Sequence, residues 1–449
     1  MAVQERAEPE ELLREQPEAV EAPRYTCALG GVLGTVLGLF DAVPILHSGA
    51  GCGLGQQFGL TYASGENSGG PQGGTNTPCS CLVEEQVIFG GEEKLRNLID
   101  STIQLMEGNF FTVISGCVPS LIGDDVEAVV KEFRDRVPIV HVKAPGFKGN
   151  SYQGYELFFV ALAEQLLKPQ PVRPHTINIF GVVPYQHLFW KGNLTVVKEL
   201  FAKVGVEANI FFTEFQGLDN LQQIPAAALN VVLSPWNGHL ATAALQEKFG
   251  TPVLTFPNVP VGPKQSTALL RAVAQALNLD VQRVEQVTAA EERSAYRYAE
   301  YFGDALILGF PHAYFAVVAD TGTAIGITQY LNNDVAYIPA VVILTDDPPP
   351  EARPEIVRAL TDGLDGTLKP EVIFEIDAYK IRQRLKDHHF AFLLASSLEK
   401  NIAGEEYGAI HHSIAFPSFD RLVLDRSYAG YRGGLALMEE LTSKWVGPL

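Results

Sequence analysis

No cysteine occurs after residue 117. The chain has five, Cys27, Cys52, Cys79, Cys81 and Cys117, all in the first third of its 449 residues. A disulfide framework would spread through the fold and needs an oxidising compartment, so the pattern argues against one. Basic residues are scarce too: 33 Lys and Arg stand against 52 Asp and Glu, for a net charge of -19. A nucleic-acid surface needs dense Lys and Arg to neutralise phosphate, so no nucleic-acid partner is expected. Apolar runs are short, and none approaches the roughly 20 residues of a membrane-spanning helix. The opening MAVQERAEPEELLREQPEAVEAPR is acidic and lacks the apolar core of a secretory signal. Residues 1–24 therefore read as a flexible acidic arm, and the chain as cytoplasmic with no membrane partner.

What is present is a globular composition, 47% hydrophobic and 19% charged. At about 150 residues per domain the length suggests three domains. Short apolar runs alternate with amphipathic stretches. Strands are expected at Val43–His47, Phe110–Ser115 and Pro138–Val142, with helices at Glu92–Met106 and Asp124–Phe133. Asp124 and Asp125 suit the positive N-terminal end of the second helix. The rhythm restarts with strands at Thr176–Gly181, Ala208–Phe212, Asn230–Ser234 and Pro252–Phe256, and a helix at Asn193–Val204. It restarts again with strands at Asp304–Phe310, Val341–Leu344, Phe390–Leu394 and Ser413–Phe416. Strands alternating with helices imply parallel sheets covered on both faces. The fold class is α/β, with three Rossmann-like domains over residues 25–172, 173–300 and 301–449. Ligands of such sheets sit beyond the carboxyl ends of the strands, where Cys52 and Cys117 fall.

The stretch His47-Ser48-Gly49-Ala50-Gly51-Cys52-Gly53 poses the chemical question. It lacks the Gly-Lys-Ser/Thr ending of a phosphate loop. A catalytic cysteine is a second reading, but sequence neighbours such as His47 and Cys52 are weak evidence for a pair that normally meets from distant positions. Zinc is a third, yet Cys79-Ser80-Cys81 is tighter than the usual two-residue spacing. The fourth is an iron–sulfur cluster held by Cys27, Cys52 and Cys117, each beside glycine or at a strand end. Gly51, Gly53 and Gly116 are the expected backbone N–H donors to it. Three ligands fall short of the usual four, which a second subunit would supply. The glycine-rich loop Ser64–Gly74 lies between the cysteines and reads as a linker or a cover.

Five segments in order carry a family resemblance. Ser115-Gly116-Cys117, running into Ile122-Gly123-Asp124-Asp125, resembles the third cluster-cysteine motif of nitrogenase component 1 proteins. His47-Ser48-Gly49-Ala50-Gly51-Cys52 is similar to the second, and Cys27 stands in the place of the first. Glu84–Gly91 resembles the family's acidic-then-Phe-Gly-Gly segment, and Phe416-Pro417-Ser418-Phe419-Asp420-Arg421 its Phe-Pro-x-Phe-Asp-Arg motif.

The resemblance implies an α2β2 heterotetramer with a P-cluster ([8Fe-7S]) at each αβ interface, three cysteines coming from each side. Cys27, Cys52 and Cys117 would be this chain's share. An ATP-dependent iron–sulfur reductase protein docks transiently and delivers electrons. The cluster relays them to a catalytic iron–sulfur cofactor in the homologous α subunit. That α cofactor needs a mid-chain cysteine and a late histidine. This chain has no cysteine after Cys117, and His239 alone would not anchor it, so the resemblance is to β. The chain then has no catalytic residues or substrate site of its own, His411 and His412 read as structural or surface residues, and His47 as one that caps or packs. There are departures. Ala144-Pro145-Gly146-Phe147-Lys148-Gly149 has glycine where some relatives place a cluster-ligating serine, which argues against a serine-gated relay; the Ser64–Gly74 insert, the Cys27-Ala28-Leu29-Gly30-Gly31 start and the short N-terminal arm also differ. These features resemble the nitrogenase-like branch that includes methylthio-alkane reductase. The alternatives are a dinitrogen-reducing β subunit and a non-catalytic cofactor-assembly scaffold. Dark-operative tetrapyrrole reductase fits less well, because its cluster draws mainly on α cysteines.

Overall fold

The computed structural model describes residues 21, 24–66, 77–213, 215–302 and 313–446. Within them the strands form three sheets, and every pairing between strands is parallel. The first holds β1 (Ala42–His47), β2 (Phe110–Ser115) and β3 (Ile139–Lys143), in the order β1-β2-β3. The second holds β4 (Arg173–Phe180), β5 (Glu207–Asn209), β6 (Ala227–Val232) and β7 (Val253–Thr255), ordered β5-β4-β6-β7. The third holds β8 (Tyr314–Ala319), β9 (Ile338–Leu344), β10 (Glu371–Phe374), β11 (Phe392–Ala395) and β12 (Ile410–Ser413), ordered β10-β9-β8-β11-β12. The expected three parallel α/β layers are therefore present. The strand expected at Asp304–Phe310 lies outside the described residues.

The first sheet shows why its strands read as continuous apolar runs. Successive side chains point to opposite faces. Val43, Ile45, Phe111 and Val113 pack under Leu95 and Ile99 of the helix Glu92–Leu105. Leu46, Phe110 and Ile114 join the main core with the helices Ala28–Leu37 and Ser151–Gln165. Both faces are covered, so no polar face is left to break the pattern.

The C-terminal helix, Gly430–Val446, packs on the helices Gly262–Ala276 and Val281–Ala299, joining the end of the chain to its middle. Arg24, placed in the mobile arm by the sequence, is instead buried, where it pairs with Glu399 and donates to Ser396 Oγ at 2.8 Å. Among the described residues no helix is long and apolar enough to cross a membrane.

The carboxyl ends of the sheets meet at a buried polar junction. Trp236, after β6, donates to Asp346 Oδ2 at 2.9 Å, and Thr321, after β8, donates to Oδ1 at 2.7 Å. Asn150, from the first layer, donates to the Asp346 carbonyl at 3.1 Å. Burial, reinforced by nearby Asp320, pushes the Asp346 carboxyl up to about 7. An unfolded aspartate titrates near 3.9. Between those values the folded chain holds a proton that the unfolded chain has lost, so this residue's contribution to stability falls as pH rises. Buried His47, His187 and His412 act in the opposite sense, because burial lowers their pKa. The Asp346 effect is therefore read by difference. Asp346→Asn is expected to gain melting temperature over the parent between pH 5.5 and 8, and a pH-independent difference would remove Asp346 from the account.

Candidate metal centre

The three strand ends of the first sheet lie level, with His47 beside Ser115 and Ser115 beside Lys143. Three loops therefore leave the sheet together: Ser48-Gly49 to Cys52, Gly116-Cys117, and Ala144-Pro145-Gly146. Cys117 is the first residue of the short helix Cys117–Ile122. Cys52 is the third residue of the helix Ala50–Thr61, and its N–H donates to the Gly49 carbonyl at 3.1 Å. Cys27 caps the start of the helix Ala28–Leu37, where the Ala28 N–H donates to the Gly149 carbonyl at 2.8 Å. All three thiols thus stand at helix starts, where unsatisfied N–H groups favour negative charge.

Cys27 and Cys117 converge on Gly146. The Gly146 N–H donates to Cys117 Sγ at 3.0 Å. A Cβ built on Gly146 would lie 3.3 Å from Cys117 Sγ and 3.4 Å from Cys27 Sγ, so a larger residue would crowd both sulfurs. Cys52 is exposed, and the Cβ of half-buried Cys79 lies 4.0 Å from where a Cβ on the adjoining Gly53 would stand. Burial pushes the Cys79 thiol up to about 11, and the Cys81 N–H donates to Cys79 Sγ at 3.4 Å. Among the described residues no three His, Cys, Asp or Glu side chains are arranged to hold a metal ion, and all five cysteines are free. The expected trio is therefore not gathered into one ligand set by this chain. An all-thiol donor group with an amide N–H on sulfur fits an iron–sulfur centre, but only as part of its ligand shell.

The three predicted glycine donors differ. Gly51 is exposed, and a Cβ there would meet nothing within 4 Å. Gly53 is buried against Leu46, 3.1 Å from where its Cβ would be. Gly116 corrects the expectation: its N–H donates to the His47 carbonyl at 3.0 Å, and its missing side chain makes room for Ser48, whose Oγ would be 2.6 Å from a Cβ. The amide on sulfur comes from Gly146 instead. Sequence reading missed that role, although a glycine after the end of a parallel strand was a usable signal.

His47 is fully buried and structural, as the sequence suggested. Its Nε2 lies 3.0 Å from Asp124 Oδ2 and its Nδ1 3.1 Å from Ser80 Oγ. Asp124 also accepts the Gly91 N–H at 3.0 and 3.2 Å. It therefore joins the second and third cysteine loops to the Phe-Gly-Gly segment, and does not serve as the expected helix-end charge. Asp125 alone caps the helix Val126–Lys131, accepting from the Ala128 N–H at 3.1 Å. Residues 78–82 run along β1 as an added parallel edge. Leu46 N–H donates to Pro78 at 2.8 Å, Ser80 N–H to Leu46 at 2.9 Å and Leu82 N–H to Ser48 at 3.0 Å. The Cys79-Ser80-Cys81 spacing therefore belongs to this edge segment, which turns at Cys81, where φ is 47°.

Large apolar side chains stand out around these cysteines. Phe89 is 82% exposed, Leu121 75%, Ile88 71%, Phe147 65% and Leu54 58%. Each lies on, or next to, an element that carries a cysteine or the Phe-Gly-Gly segment. Exposed apolar side chains beside candidate ligands are what an interaction face would present.

Comparison with known proteins agrees with this geometry. The family model described as nitrogenase component 1 type oxidoreductase matches residues 27–445. The nitrogenase vanadium-iron protein beta chain of Trichormus variabilis is 23% identical, over 95% of this chain and 92% of that one. The nitrogenase iron-molybdenum cofactor biosynthesis protein NifE of Methanococcus maripaludis is 24% identical, over 91% of this chain and 80% of its own. The nitrogenase molybdenum-iron protein alpha chain of Methanosarcina barkeri is 27% identical, but the match spans 60% of this chain and 51% of that one. A solved structure described as nitrogenase Cp1 at pH 6.5 superposes with a TM-score of 0.81 over 97% of this chain and 95% of its own, at 19% identity. A family match running from the first cysteine to the C-terminal helix makes this chain a member of the nitrogenase component 1 type oxidoreductase family.

Proposed function

We propose that this chain is the β subunit of a cytoplasmic nitrogenase-like reductase complex and supplies half of an interfacial P-type cluster. The carrying observation is the open thiol arrangement. Cys27 and Cys117 flank Gly146, Cys52 stands exposed at a neighbouring helix start, and exposed apolar side chains surround them. Such a half-site calls for thiolates from an α-type partner seated on that face. The cluster, when bound, passes single electrons from an ATP-dependent iron–sulfur reductase to the catalytic cofactor of the partner. This chain's residues position three sulfurs and donate the Gly146 N–H to one of them. Hydrogen bonds and burial of this kind set cluster potential.

For the reaction we favour reductive carbon–sulfur cleavage of methylthio-alkanes. Glycine at 146, where some relatives place serine, supports this branch, since a Cβ there would sit only 3.3–3.4 Å from the two sulfurs. For dimethyl sulfide, two electrons and two protons convert the substrate to methane and methanethiol. The test is the complex with its α-type partner, reductase and ATP, supplied with dimethyl sulfide or with dinitrogen. Methane with methanethiol is the expected result. Ammonia without hydrocarbon would establish the dinitrogen-reducing alternative instead. The likeness to the NifE biosynthesis protein supports a second reading, a cofactor-assembly scaffold. Transfer of a cofactor to another protein, with no turnover, would establish that one.

A further inference from the structure

A cavity of about 120 Å³ lies between the helices Gly262–Ala276, Val281–Ala299, Thr321–Asn333 and Gly430–Val446. Its walls include the rings of Tyr296, Tyr330 and Tyr431, with Ala299 and Met438 among the apolar remainder and Asp334 as the one carboxylate. The tyrosines are fixed in place. Tyr330 sits between Gly262 and Gly434, where a Cβ on either would come within 2.3 Å of its ring. Tyr431 pairs its hydroxyl with Thr267 at 2.9 Å.

Asp334 is half satisfied. Tyr296 donates to its Oδ1 at 3.0 Å, while its Oδ2 is buried with no hydrogen-bond partner. Asp334 also follows the last turn of the helix Thr321–Asn333, the end that carries partial negative charge. The nearby Lys264 ammonium is engaged elsewhere, on the Asn333 carbonyl at 2.6 Å and on Asp365 at 2.7 Å. Burial pushes the Asp334 carboxyl up to about 6, against the lowering pull of Tyr296 and Lys264. A buried acceptor without a partner calls for a ligand or water. A metal ion would need several oxygen ligands, which apolar and aromatic walls do not offer. An alkylammonium needs one counter-ion, N–H acceptors and aromatic surface.

We propose that this cavity binds a small organic cation, a primary alkylammonium of about methylammonium size, with Asp334 as its counter-ion and Tyr296, Tyr330 and Tyr431 as its walls. The cavity is well below the roughly 300 Å³ at which drug-sized ligands begin to fit. The site is separate from the cysteine face and does not depend on the reaction assigned above.

The test is calorimetric titration of the full-length protein, in its complex, with methylammonium chloride, against sodium chloride and tetraethylammonium chloride at matched ionic strength. Saturable binding of methylammonium alone is expected. Asp334→Asn is expected to weaken it at least about tenfold, the loss of one buried charge pair. Ala299→Leu fills the cavity without touching the carboxylate and is expected to abolish binding. If Asp334→Asn fails to fold, the salt series and Ala299→Leu still decide. Heats indistinguishable among the three salts, or undiminished binding in Ala299→Leu, would overturn the proposal and leave the cavity to water.

Discussion

Cys117→Ala is expected to strip iron and acid-labile sulfide from the purified complex and to cut reductase-dependent turnover by more than about 100-fold, beyond what loss of an outer-shell partner costs. The size of the effect follows from the position of the thiol. Cys117 Sγ already accepts an amide N–H at 3.0 Å and shares Gly146 with Cys27, so no neighbouring side chain can replace it. The fold should survive, because Cys117 is only half-buried and lies outside the main core. Cys81→Ala is the matched control. Cys81 is exposed, on the edge segment, and its replacement is expected to leave iron content near the parent value. Equal iron in Cys117→Ala and parent would remove that thiol from the cluster.

Gly31→Ala is expected to be the most destabilising conservative change in the first layer. A Cβ on Gly31 would stand 2.1 Å from the Ser151 carbonyl oxygen, and one on Gly154 would stand 2.2 Å from that of Ala28. The helices Ala28–Leu37 and Ser151–Gln165 therefore cross with their backbones in contact. Neither backbone can swing aside as a side chain would, so the cost should reach or exceed the ~3 kcal/mol upper range of overpacking. The displaced element also carries Cys27 at its start, so iron should be lost with stability. Gly51→Ala makes the contrast. A Cβ there meets nothing within 4 Å, and alanine favours helix by about 1 kcal/mol over glycine. Chemical denaturation of both variants tests the pair. Parent-like stability in Gly31→Ala would mean that the helices are not in backbone contact.

The strand Phe110–Ser115 was legible to the residue, because both faces of β2 are covered and its run is apolar but for Thr112 and the terminal Ser115. The third layer was less legible. Its central strand, Tyr314–Ala319, went unread although Tyr-Phe-Ala-Val-Val-Ala has strand composition. The edge strand Glu371–Phe374 is four residues long and only partly buried, too short for a pattern. In the site, glycine neighbours marked the cysteines. The partners that hold their loops were not marked, because they meet across the chain. His47 and Asp124 are 77 residues apart and meet only because β1 and β2 pair in one register. The pairing of β2 with β3 brings Gly146 to Cys117, and Ser80 reaches His47 only through the added edge along β1.

On the proposed reading, this chain holds part of a cluster that another subunit completes. The most direct test is anaerobic purification of the chain alone and together with its α-type partner, followed by iron and sulfide analysis of each. The account predicts stoichiometric iron and sulfide in the heteromer and almost none in the lone chain. A lone chain carrying a complete cluster through Cys27, Cys52 and Cys117, or a heteromer without iron, would contradict it.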